Sequence, residues 1–323
     1  MMKKVGKRLG IGVLMITLCI WALPGTSQAE KKVIILGTAP AGSASFPFMV
    51  GVATIVNKAV PELALSPQET GGSVANIRLL DEGKIHLSGF SGMVAGAAVD
   101  GKPPFKKKRK VLALFAMYQH RFVYLARKGS GVKSWDDVAG KKVAVGTPGG
   151  STRVVGDLIV DTRGIRNKAK ILYLRPATMI DALRDGTIDV GFGLAAGAAN
   201  APWVDEIVST IDVNVFGVDK ATVNKMVKKK KGLFLSEFPA GFFKGYPAFP
   251  TAAEVLVAGV NPGMDENTAY ILTKTVQDNL KTLAKYSPAA RGAKPKDALR
   301  GLPPNVSFHP GAIRYYKEKG LMK

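Results

Sequence analysis

The sequence predicts an α/β fold built from two similar lobes. Strand-like and helix-like periodicities alternate between residues 32 and 192, the pattern of a parallel sheet with crossover helices. The turns between them also recur. Gly37-Thr38-Ala39-Pro40-Ala41-Gly42-Ser43 follows the first strand of one set, and Gly146-Thr147-Pro148-Gly149-Gly150-Ser151-Thr152 follows that of the other, 109 residues later. Glu82-Gly83-Lys84-Ile85-His86 is matched by Asp185-Gly186-Thr187-Ile188-Asp189 at a spacing of 103. Two matches in the same order at nearly equal spacing point to one plan used twice.

In chain order, Lys32–Leu36 reads as a strand, followed by a turn of small residues and a helix around Pro47–Asn57. Leu63–Gln68 is the second strand. Ser73–Asp81 is a helix because Val74, Ile77 and Leu80 recur every three residues and Gly83 stands just beyond as a stop. Ile85–Phe90 completes the first set as a strand. In the second set Ser134 caps a short helix ending at Gly140, and Val143–Val145 is a strand. Thr152–Asp161 is a helix with Val154, Val155, Leu158 and Ile159 on one face. Ile171–Leu174 is a strand, Thr178–Arg184 a helix stopped by Gly186, and Ile188–Phe192 the closing strand.

A different kind of segment precedes this body. Lys3, Lys4, Lys7 and Arg8 lead into fifteen uncharged, mostly apolar residues, Leu9 to Leu23, and then the small-residue run Ser27-Gln28-Ala29. Residues 1–29 therefore read as a secretory signal peptide, cleaved near Ala29 and directing the protein to the periplasm. Their apolar run is shorter than the roughly 20 residues a membrane-spanning helix needs.

Among 323 residues there are one cysteine and three histidines, which excludes a disulfide framework and a Cys/His metal centre. The net charge is +22; four basic and no acidic residues leave with the leader, giving +18. An exported protein rarely meets chromosomal DNA, and the runs Lys106-Lys107-Lys108-Arg109-Lys110 and Lys228-Lys229-Lys230-Lys231 lack interleaved aromatics, so nucleic acid is not the expected partner. They read as solvated loops, or as a positive surface that draws in anionic solutes or an anionic membrane. No G-x-x-x-x-G-K-[ST], H-E-x-x-H or G-x-S-x-G run is present, so no catalytic residue, metal or cofactor is expected.

Parallel strands joined by helices bring strand C-terminal ends and helix N-termini to one edge, where open α/β sheets bind ligands. Helix N-termini carry unpaired N–H groups and partial positive charge. Two such edges facing each other across a cleft suit a small organic anion, a carboxylate or dicarboxylate, met also by Ser and Thr hydroxyls. Arg153, at the start of a helix, either pairs with that carboxylate or braces its lobe from outside. His86, His120 and His309 are far apart and read as ordinary core or surface residues.

Several runs together carry a resemblance: Thr70-Gly71-Gly72-Ser73-Val74-x-Asn76-x-Arg78-Leu79-Leu80, Gly149-x-Ser151-Thr152-Arg153, Phe238-Pro239-Ala240-Gly241, and His309-Pro310-Gly311-Ala312-x-Arg314-Tyr315-Tyr316. The chain resembles the TAXI-type solute-binding proteins of TRAP transporters over essentially the whole of its length after the leader. That resemblance implies a periplasmic binding protein type II-like fold. Residues 30–120 plus 231–323 would form one lobe and 121–230 the other, joined by a two-segment hinge near 120 and 230. It implies a protein that delivers a carboxylate-bearing solute to an ion-gradient-driven membrane permease and does no chemistry; a monomer is the default expectation, with oligomeric state left open.

Carried over motif by motif, the resemblance places the solute against Thr38, Ser43, Ser45 and Phe46 of the first turn and Gly72, Ser73 and Asn76 of the Gly-Gly-Ser-x-x-Asn helix start. Ser91 follows the third strand, and Thr147, Gly150, Ser151, Thr152 and Arg153 form the second-lobe turn. The chain departs from the family pattern in two places. Ala44-Ser45-Phe46-Pro47 stands where the family commonly has Thr-Tyr-Tyr-Pro, and Ser91-Gly92-Met93 where it often has Gln-Ser/Asn-Asp. The wall is thus less polar and less acidic than usual, which favours a solute without an amine. Two other classes are kept open: an exported enzyme on the same fold, and a sensory or adhesion module using the basic face.

Overall fold

The computed structural model describes residues 31–323; the segment read as a leader lies outside them. The first set of elements is β1 (Lys32–Gly37), α1 (Ser45–Ala59), β2 (Leu63–Gln68), α2 (Ser73–Asp81) and β3 (Leu87–Ser91), followed by α3 (Gly92–Asp100). Apolar spacing explains the helices: Phe48, Val52, Ile55 and Val56 bury one face of α1, and Val74, Ile77 and Leu80 one face of α2. At Gly51 a side chain would come within 2.8 Å of Tyr286 Cβ, so α1 lies directly on α9 (Leu280–Tyr286).

The second set repeats the plan. It comprises β5 (Lys142–Gly146), α4 (Ser151–Arg163), β6 (Lys170–Tyr173), α5 (Pro176–Arg184) and β7 (Val190–Ala196), preceded by β4 (Leu112–Arg127). In each set the first strand pairs in parallel with both the second and the third, so the spatial orders β2-β1-β3 and β6-β5-β7 are equivalent. The recurrent turns of the sequence are therefore equivalent places in the fold. Between Ser134 and Gly140 the helix is reduced to a single 3-10 turn, Trp135–Asp137, closed by a Ser134–Asp137 capping box. The strands predicted at Ile85–Phe90 and Ile188–Phe192 start two residues later, because Ile85 and Ile188 still belong to the turns after α2 and α5.

One sheet joins both sets in the order β2-β1-β3-β11-β4-β7-β5-β6, where β11 spans Phe249–Val260. The middle strands are antiparallel to their neighbours. β4, 16 residues long and about 50 Å from end to end at ~3.3 Å per residue, belongs to both halves. It pairs with β11 from Leu112 to Arg121 and with β7 from His120 to Ala126, changing partner at His120 and Arg121. The remaining strands sit at the flanks: β8 (Ala199–Asn200) on β7, β9 (Val213–Phe216) on β4 and β10 (Leu233–Phe238) on β11. The outer helices are α6 (Pro202–Thr210), α7 (Lys220–Lys229), α8 (Glu266–Asp278) and α10 (Pro310–Glu318).

The closing His-Pro-Gly-x-x-Arg-Tyr-Tyr run is scaffolding. His309 caps α10, a side chain at Gly311 would overlap Glu266 O at 2.2 Å, and the buried Tyr316 hydroxyl donates to Leu114 O at 2.8 Å. The lysine runs are only partly solvated loops. Arg109 pairs with Asp81 at 2.9 Å, Lys228 and Lys229 form the last turn of α7, where cations complement the helix dipole, and Lys230 donates to Pro103 O at 2.8 Å. No helix among the described residues is long and apolar enough to cross a membrane.

Candidate functional site

Four helices begin at one cavity. α1, α2, α4 and α5 start with Ser45, Ser73, Ser151 and Pro176, all of which line it. Their N-cap residues, Ala44, Gly72, Gly150 and Arg175, provide no side-chain cap. Each such terminus carries roughly half a positive charge on N–H groups that no side chain satisfies, so the convergence builds positive potential without a lysine or arginine in the lining. The glycine turns allow this arrangement. Gly72 has φ +95°, and a side chain there would come within 3.3 Å of Gly150 Cα on the opposite wall.

The walls touch. Val74 N–H donates to Gly149 O at 2.9 Å and Glu69 faces Arg175 at 3.6 Å, leaving a volume of about 50 Å³ between the two turns. Ligand pockets commonly measure ~300–1,000 Å³, so the space is that of a cleft shut to a few atoms. Its apolar surface comes from Leu194, Trp203 and Leu256, its polar surface from Ser43, His120 and the helix starts.

Eight of the thirteen residues predicted from the sequence line this cavity: Ser43, Ser45, Gly72, Ser73, Thr147, Gly150, Ser151 and Thr152. Some of their hydroxyls also hold the walls. Ser45 Oγ shares a 3.0 Å hydrogen bond with Tyr118 Oη, Ser73 Oγ accepts from Ser91 N–H and Thr152 Oγ1 from Thr147 N–H. Burial pushes the Tyr118 phenol far above its usual range, outweighing the Ser45 hydrogen bond, so it remains a neutral hydroxyl.

The other five lie outside the lining. Thr38 is fully buried and donates to Gln68 O and Ala39 O; Asn76 Nδ2 donates to Thr38 O at 3.2 Å and Gly89 O at 2.8 Å. Both brace the turn. Ser91 caps α3 and donates to the Glu254 carboxylate, and Phe46 is a partly buried residue of α1. Arg153 lines a second groove of about 480 Å³ between α2 and α4, which meets the cavity at Gly150, its guanidinium 4.3 Å over the Tyr173 ring and 3.6 Å from Asp157. Of its two sequence roles, the geometry matches the outer brace, because those partners already occupy its charge and its flat face.

His120, read from the sequence as an ordinary histidine, lines the cavity floor, and Glu254, which the sequence analysis did not single out, lies buried behind it. His120 on β4 is 4% exposed, and neither ring nitrogen has a protein partner. Glu254, its cross-strand neighbour on β11, is 0% exposed, with Oε1 unpartnered and 3.6 Å from His120 Nδ1. An acid therefore stands behind the cavity, although residues 91–93 supply none. The available signal was an acid in the otherwise uncharged strand Phe249–Val260. Among the described residues no cluster of three or more His, Cys, Asp or Glu side chains could hold a metal ion.

The architecture is that of a periplasmic binding protein of the type II kind. Among solved structures, a Bordetella bronchiseptica protein is similar at 13% identity and a TM-score of 0.58, over 90% of this chain and 98% of that one. A Listeria monocytogenes protein described as a putative L-cystine ABC transporter is 15% identical with a TM-score of 0.52, over 81% of this chain and 97% of that one. At the level of sequence the match is to one family over nearly the whole described body, residues 36–320, and the chain belongs to the NMT1-like family.

Proposed function

We propose that this protein is an exported solute receptor that captures a small organic anion between two lobes and passes it, unaltered, to a membrane permease. The observation that carries the proposal is the convergence of four helix starts lacking side-chain caps on one nearly closed cavity. Positive potential from backbone N–H groups suits a carboxylate and requires no reaction chemistry. Residues 30–120 with 231–323, and 121–230, are the two lobes of this reading. Closure rotates them about β4 near His120 and about the chain near residue 230. The signal-like residues 1–29 and the fold's likeness to the Listeria protein support export and delivery to a transporter.

The residue runs shared with TAXI-type proteins favour a TRAP permease. The description of the Listeria protein favours an ABC importer instead. Uptake that persists in vesicles depleted of ATP but energised by an ion gradient identifies the first; uptake that needs ATP identifies the second.

The receptor role is tested by fluorescence of Trp203, which lines the cavity, during titration with succinate, 2-oxoglutarate, L-glutamate and D-glucose. The expected result is saturable binding of a carboxylate, lost in Ser73→Trp, which fills the cavity. Saturable binding of glucose with no response to any carboxylate defeats the proposal.

A further inference from the structure

The polar atoms at the cavity floor are unusual in having nothing to bind. His86 Nδ1 accepts from Ile35 N–H at 2.9 Å, and both ring nitrogens of His309 have backbone partners, at 3.2 and 3.0 Å. His120, nearly as buried as His309, has none. Ser43 Oγ, on the same cavity, is likewise buried and unpartnered. Buried polar groups without partners are rare and each weakens the fold, so several gathered around one cavity call for a guest that completes them.

Charge narrows the chemistry of that guest. Glu254 is fully buried, and its Oε2 accepts from Ser91 Oγ, a contact suited to the carboxylate form. Among the described residues the one basic side chain within ion-pair distance of it is His120. Arg121, next along β4, turns away to stack at 4.7 Å on Phe238 and donate to Gly197 O. Tyr118, on the same face of β4 with its ring 5.3 Å from that of His120, spends its hydroxyl on Ser45. A ring carrying a proton on each nitrogen would make His120 and Glu254 a charge-balanced pair. In that form both nitrogens are donors: Nδ1 lies on the Glu254 side, and Nε2 is left for an acceptor in the cavity.

We propose that His120, positioned and charge-balanced by Glu254, is the side chain that grips the solute's carboxylate on the cavity floor. This rests on the receptor reading above and adds to it the specificity-determining residue. It also disfavours amino-acid solutes, since the one acid near the cavity is shielded from an ammonium group by the ring of His120.

The experiment compares calorimetric titrations of succinate and 2-oxoglutarate into the wild-type protein, Glu254→Gln, and the double variant His120→Phe/Glu254→Gln, which removes the ring without stranding a buried charge. Charged hydrogen bonds of this kind correspond to about 10- to 100-fold in affinity, the loss expected for the double variant, with a smaller loss for Glu254→Gln. Nitrogen-15 NMR of histidine-labelled wild-type protein reads the contact independently of any variant. The carboxylate should shift the His120 ring signals, with both nitrogens protonated in the complex, and leave those of His86 and His309 in place. Tight binding by the double variant, or an unmoved His120 signal in a saturated complex, overturns the assignment while leaving the receptor reading intact. A wild-type protein that binds no carboxylate ends both.

Discussion

Replacing Asn76 by alanine separates a brace from a ligand contact. The carboxamide is fully buried beneath the cavity, and Nδ2 donates to Thr38 O in the turn after β1 and to Gly89 O in β3. Alanine removes two hydrogen bonds, each with a net value of ~1 kcal/mol, and leaves Thr38 O without its Asn76 donor, while Gly89 O keeps Ser88 Oγ at 3.2 Å. A small void is added. The expected loss is about 2–4 kcal/mol of unfolding free energy, read from urea denaturation followed by circular dichroism. Affinity for a carboxylate bound by the wild type should change by no more than a few-fold, because the carboxamide does not line the cavity. A variant that keeps its stability to within ~0.5 kcal/mol yet loses at least tenfold in affinity would refute this reasoning and return Asn76 to the ligand contacts.

Three further outcomes follow from local geometry. Gly72→Ala forces φ +95° on a residue with a side chain and directs its Cβ to within 3.3 Å of Gly150 Cα, so it should cost about 1–3 kcal/mol in stability and weaken solute binding by obstructing closure. Gly156→Val introduces a Cβ 2.1 Å from Val145 O, which lifts α4 off β5; a loss of at least ~2 kcal/mol in urea unfolding is expected, with wild-type stability as the contrary result. Burial raises the pKa of the Asp81 carboxyl, but the Lys110 amide and the Arg109 guanidinium together hold it below 3.8. A carboxyl depressed in the folded state stabilises the fold above its unfolded value and loses that contribution as pH falls through the folded value. Stability should therefore decline below about pH 4, and Asp81→Asn should flatten that part of the acid profile.

Much of the scaffold could be read locally. β2 and α2 have the bounds that periodicity and flanking turns predict, and the paired glycine turns correspond to equivalent positions in two sets of parallel strands. Local patterns fail where pairing is distant. β4 is buried on both faces, so it lacks the alternation that marks a half-exposed strand, and β11 reaches it from the far end of the chain. The same limit governs the site. Helix starts at glycine turns are legible because φ > 0 and close approach demand glycine there. The destination of a small polar side chain beside them is not: Thr38 and Asn76 brace the turn, whereas Ser43 and Ser151 line the cavity. His120 and Glu254 become neighbours only through the register of two antiparallel strands, which no spacing in the sequence encodes.

The most direct measurement is a crystal structure of the protein with its solute retained, paired with mass spectrometry of the molecule released on denaturation. The expected result is an intact carboxylate between the Ser73 and Ser151 helix starts with an oxygen on the His120 ring. A guest bound outside that cavity, or one recovered chemically altered, contradicts a receptor that grips an anion and lets it go unchanged.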